Sequence, residues 1–152
     1  VFDASRGNLA AAGAAPSETT LSAARKAMRG FKGLDGNTLI SVTPKYLVVG
    51  PELETDAEKL LAAIYAVTTG DVNAWTGKLS LLVEPRITDD QWFVFADPAR
   101  VASMVYGYLA SAQGVQIQRA EAWDTLGIKY RAFLDFGTGW SDWRGAYRNA
   151  GS

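Results

Sequence analysis

Chemistry in this chain has to be built from a short list of side chains, because the sequence contains neither histidine nor cysteine. The commonest general base, the commonest transition-metal ligand and all thiol chemistry are missing with them. A Ser-His-Asp triad is excluded, and no Gly-x-Ser-x-Gly elbow is present. A serine–lysine dyad can be drawn in any chain with both residues and has no specificity. Paired carboxylates remain. Asp89 with Asp90, or Glu84 with Asp89, have the residue types of a glycosidase acid and base. Nothing in the sequence raises one of their pKa values selectively, and an Asp-Asp pair suits a turn. Glu52, Glu54, Asp56 and Glu58 crowd a second stretch and could be drawn around a cation. Their position at a helix start explains them more simply. Negative charge there favours the positive end of the helix dipole by about 0.3–1 kcal/mol per group. No catalytic, metal or cofactor-binding residue is therefore expected.

The five tryptophans are the other chemically capable group, since aromatic faces stack on sugars and on single-stranded nucleic acid. Most should be core residues, given the area each buries. Trp75, in a polar stretch, and the pair Trp140 and Trp143 are the expected exceptions, as exposed anchors for a partner. Near them, Asp142-Trp143-Arg144-Gly145-Ala146-Tyr147-Arg148 interleaves opposite charges with aromatics. It reads either as a frayed tail or as a contact between subunits, with Arg144 and Arg148 facing Glu54 and Glu58 of a neighbour. Those residues, with Trp75, Trp140, Asp142, Trp143 and Tyr147, form the candidate interface.

Composition narrows the classes. The 152 residues suit one domain or two small lobes, and 48% hydrophobic with 20% charged is ordinary for a packed domain. The 15 basic and 16 acidic residues leave a net charge of −1, which gives no reason to expect a polyanion-binding surface. No apolar run approaches the roughly 20 residues of a membrane span. Val1 to Asn8 lack the pattern of a signal peptide, and the start without methionine reads as a piece of something longer.

Periodicity then supplies the elements. Residues 1–17, rich in Gly and Ala from Gly7, read as an arm or loop. A helix is expected from Ser17–Thr20 to Gly30, with Leu21, Ala24, Met28 and Phe31 on one face. A short strand is expected at Leu39–Val42 and a buried one at Tyr46–Val49. A helix follows from Pro51 to about Ala66, striped by Leu53, Ala57, Leu60, Leu61 and Ile64. Thr68 to Lys78 reads as a loop, Leu79–Val83 and Trp92–Phe95 as strands. Asp97-Pro98 signals a helix carrying Val101, Met104, Val105 and Tyr108. Val115 to Arg119 and Ile128 to Phe136 alternate apolar with polar, predicting half-buried strands joined antiparallel through Asp124–Gly127. Gly137-Thr138-Gly139 is expected to end the second one.

Several ordered stretches resemble the Mu-like prophage major head subunit family. They are Arg6-Gly7-Asn8-Leu9, Ala27-Met28-Arg29, Asp35-Gly36, Thr43 to Leu53, Ala57 to Leu61, Asn73, Asp90 to Pro98 and Gly127 to Arg148. The run Pro44-Lys45-Tyr46-Leu47-Val48-Val49-Gly50-Pro51-Glu52-Leu53 is the most specific. Arg6 stands where many relatives carry histidine. The resemblance covers nearly the whole chain and implies an α+β fold of the Hong Kong 97 capsid type. Such a fold has an axial and a peripheral lobe, the latter with a long antiparallel β-ribbon, here near the C-terminus. Residues 18–152 would be the capsid core, the C-terminal part of a larger subunit. The implied function is structural and not enzymatic: copies packing into capsomers and an icosahedral virion shell, assembled in the host cytoplasm. DNA would be non-specific content, no cofactor or membrane is implied, and a scaffold or maturation protease is a possible partner. The rivals are a carbohydrate-binding or tail-type module using exposed tryptophans, and a carboxylate hydrolase with a deep acid-lined cleft.

Overall fold

The computed structural model describes residues 1–62, 74–124 and 126–152. In chain order its elements are α1 (Glu18–Arg29), β1 (Pro44–Val49), α2 (Glu54–Leu61), β2 (Ser80–Val83), β3 (Trp92–Ala96), β4 (Met104–Tyr108), β5 (Gln116–Glu121), β6 (Ile128–Phe133), β7 (Phe136–Trp140) and β8 (Ala146–Asn149). Helices and strands are mixed. They divide into two compact units, Val1–Ser103 with Asp142–Ser152, and Met104–Ser141.

The first unit is built on a four-stranded sheet in the order β2-β1-β3-β8, parallel between β1 and β2 and antiparallel elsewhere. The apolar run of β1 explains its central place, because a strand flanked on both sides needs no polar edge. Leu47 lies opposite Val94, and Val94 opposite Tyr147. With Val49, Trp92 and Ala96 these side chains make the buried face of the sheet. α1 supplies Leu21, Ala24 and Met28 to the same core, and α2 supplies Ala57. Ser17 caps α1 reciprocally with Thr20: its hydroxyl accepts from the Thr20 amide, and the Thr20 hydroxyl accepts from the Ser17 amide. Gly30 ends the helix.

The N-terminal residues are stitched to the far edge of the sheet. Leu9 bridges Arg148 in parallel, and the Ala10 and Arg148 amides complete that bridge. Asn149 accepts from the Ala14 amide at 2.9 Å, and the Trp92 indole donates to the Ala14 carbonyl at 2.8 Å. A side chain at Gly13 would strike the Gly151 carbonyl, so the arm lies close against the chain's end.

The second unit consists of two antiparallel pairs, β4 with β7 and β5 with β6. The Leu109 amide donates to the Asp135 carbonyl between them. Among its described residues none is buried.

Four expectations are corrected. Leu39–Val42 is not a strand: only Leu39 bridges, to Lys32, and Ser41 takes a positive φ that an extended run does not allow. Asp97 caps a single turn and no helix follows, because Met104, Tyr106 and Tyr108 alternate with Val105 and Gly107 and pair with β7. Gly137 and Gly139 lie inside β7 instead of ending a strand. The apolar side of β5–β6 is exposed, not half-buried, with Ile117 at 73%. α2 itself ends at Leu61, where Ala62 turns extended. The predicted helix end at 63–66 with Ile64, the loop at 68–73 with Asn73, and Thr125 in the ribbon turn lie outside the described residues.

Candidate assembly surfaces

The residues expected at a subunit contact fall in different settings. Trp75 is buried at 1% exposure, with the Arg25 guanidinium 4.4 Å over its ring. It is a core residue, and the exposed-anchor expectation is corrected. The polar sequence around it misleads because the indole reaches back into the core made by α1 and the sheet. Tyr147 is buried too, on β8, and burial raises the pKa of its phenol. Trp92 is a core residue as expected, while Trp123 is fully exposed at the ribbon end of the second unit.

The string from Asp142 to Arg148 is ordered, not frayed. Asp142 caps a short turn at Trp143–Gly145, and β8 follows directly. Arg144 donates from Nε to the Lys32 carbonyl at 2.7 Å and pairs with Asp142 at 3.2 Å, with a side chain only 14% exposed. Its guanidinium also lies 4.8 Å over Trp143, and Arg6 approaches the same ring at 5.8 Å. Trp143 meets Phe31 edge-on at 5.3 Å. Arg144 thus fastens the loop after α1 to the start of β8. The Nε of Arg148 is buried with no hydrogen-bond partner among the described residues. Glu54 and Glu58 sit one turn apart on α2, half-buried and exposed. Trp140 is 42% exposed on β7.

Glu84 is held ionised by an ion pair, as a general acid is not. Glu84 accepts two bonds from the Arg86 guanidinium, at 2.6 and 2.9 Å, and one from the Arg86 amide at 3.1 Å. Those bonds hold its pKa down at about 2, whereas a general acid needs a raised one. Asp97 is lowered in the same way, first by its bond from Lys45 and then by the Ala99 amide. No cluster of three or more carboxylates among the described residues could hold a metal ion. Two open hollows lie on the second unit. One is lined by Gln118, Arg119, Ala120, Lys129, Tyr130 and Arg131, the other by Met104, Val105, Tyr106, Thr138, Gly139 and Trp140. Neither lining contains an acid.

Sequence reasoning missed the β4–β7 segment as a surface. Its signal was available, since Met104, Tyr106 and Tyr108 alternate with Val105 and Gly107. The stronger Asp-Pro helix start masked it.

Charged side chains such as Arg144 fasten the first unit's own fold, and none of the described residues of the second unit is buried. The family model described as phage capsid protein matches residues 1–149, and the chain belongs to that family. Among curated proteins none matches. Among solved structures, a chain from Mycobacterium phage Che8 is similar at a TM-score of 0.54 and 14% identity. The match covers 97% of this chain and 55% of that one, so this chain spans little more than half the length of that neighbour. At that identity the likeness is one of fold.

Proposed function

We propose that this chain is part of a major head subunit of the Mu-like prophage kind, with a Hong Kong 97 type of fold. It acts by packing copies of itself into an icosahedral shell around phage DNA. On this reading the unit built on the four-stranded sheet belongs to the axial lobe and the β4–β7 ribbon to the peripheral lobe. The virion capsid is its place of action, reached by assembly in the host cytoplasm. No helix among the described residues is long and apolar enough to cross a membrane.

The observation that carries the reading is the second unit. It exposes Tyr106 at 71%, Ile117 at 73% and Tyr130 at 66%, and none of its described residues is buried. An isolated two-stranded ribbon is marginal in water, so these side chains call for a partner surface. Family membership supports other subunits as that surface. Glu54, Glu58, Trp140, Asp142 and Arg148 remain candidates for such contacts. Trp143 and Arg144 would act behind them by holding β8 in place. The net charge of −1 suits a wall that does not grip DNA tightly. No catalytic step or cofactor enters, and a scaffold or maturation protease would be a transient partner.

Electron microscopy of the natural-length protein expressed alone tests this. Shells or capsomer rings are expected; a protein that stays monomeric at every concentration and salt condition overturns the reading.

A further inference from the structure

The β4–β7 segment has two unlike faces. Register puts Met104 opposite Trp140, Tyr106 opposite Thr138 and Tyr108 opposite Phe136, so these six share one face. Tyr106 and Tyr108 meet edge-on at 5.8 Å, and Tyr108 lies 6.4 Å from Phe136. The other face carries Val105 opposite Gly139 and Gly107 opposite Gly137, and is almost bare. All ten residues of the two strands are uncharged.

Nothing among the described residues asks for these glycines. None of the three has a positive φ, and a side chain at any of them would meet no atom within 4 Å. The contrast is with Gly13, Gly50 and Gly145, where a side chain would strike neighbouring atoms of the same chain. Glycine inside a strand weakens it and often marks a place where another backbone comes close.

We propose, on the strength of the capsid-subunit reading, that the two faces are halves of one contact between copies: the aromatic face of one subunit seats on the glycine face of the next. Bulk on one side meets bareness on the other, and neither side has a charge to desolvate. The contact is heterologous, since unlike faces of the same element meet, and a heterologous contact repeated by rotation closes a ring. The area is adequate. Met104, Tyr106, Tyr108, Phe136 and Trp140 are 42–71% exposed. At about 100 Å² each they present on the order of 500 Å², and covering both faces removes about 1,000 Å², where specific interfaces begin.

The test uses Gly107→Val and Gly139→Val, singly and together, and Tyr106→Ser with Tyr108→Ser, in the natural-length protein. The valines suit a strand, and a Cβ at either position meets no atom within 4 Å. Unassembled subunits of all variants should therefore melt at or above the temperature of the parent, or within a few degrees of it. Particle or ring formation should fall by about tenfold or more in each pair, as loss of one moderate contact per subunit implies. Valine variants that assemble as the parent does sink the contact while leaving the capsid reading intact. Valine variants that melt well below the parent before assembly also sink it, because the glycine face is then covered by the same chain. A parent that never assembles overturns both.

Discussion

Asn8 is wholly buried, and its amide group spends its bonding capacity on the backbone around it. Its Oδ1 accepts from the Asp3 amide at 3.0 Å, while Nδ2 donates to the carbonyls of Val1 and Trp143 at 3.3 and 3.4 Å. Replacing it with alanine removes three part-buried bonds to the backbone, at a cost of about 1 kcal/mol. A urea midpoint for Asn8→Ala equal to that of the parent would refute this. Glu84 gives a second prediction. Its folded pKa of about 2 lies below its ordinary value of 4.5, so its contribution to stability is present above pH 4.5 and disappears as pH falls towards 2. A carbon-detected NMR titration should find the carboxyl near 2, and Arg86→Ala should return it towards 4.5. The sequence offered nothing to raise one of these carboxyl pKa values selectively, and the bonds from Arg86 lower that of Glu84. What each side chain touches was not readable. The Arg144 bond to the Lys32 carbonyl joins positions far apart in sequence, and no local pattern announces it.

At the level of elements, legibility followed the strength of the local signal. α1 was readable because its cap, its apolar spacing and its terminal glycine agree with one another, and β1 and β3 because short apolar runs stand between breakers. Where signals conflicted, the louder one misled. Asp97-Pro98 is a real cap, since the Ala99, Arg100 and Val101 amides all turn back to Asp97. Yet the residues beyond Ser103 have a strand's period and a strand's partner in β7. The glycines of β7 look like breakers because a sequence does not reveal whether an absent side chain serves a turn or an approach. The α1 cap yields its own prediction. Ser17→Ala removes the acceptor for the Thr20 amide and one half of the capping box, at a cost of about 1 kcal/mol. It should lower the urea midpoint while the slope of the transition stays the same. A changed slope would mean the helix start matters to more than its own end.

On the scale of the whole molecule, stability should be distributed unevenly between the two units. The first has a continuous core running from Leu21 to Tyr147, while the second has no buried residue among those described. Segments with few buried contacts open at low free-energy cost, and a protease cuts where the chain opens. Arg119, Lys129 and Arg131 are exposed on β5 and β6, so trypsin has sites within the unit that should open first. Brief digestion of unassembled subunits should cleave at these three positions well before any site in α1 or β1. If copies of the chain also cover the β5–β6 pair, the same sites in assembled particles should be cut about tenfold or more slowly, because cleavage then waits on dissociation as well as opening. Equal cleavage before and after assembly would place the β5–β6 pair outside every subunit contact. Protection already complete in the free subunit would mean that the chain covers its own β5–β6 pair, and that Ile117 and Tyr130 belong to an intramolecular core.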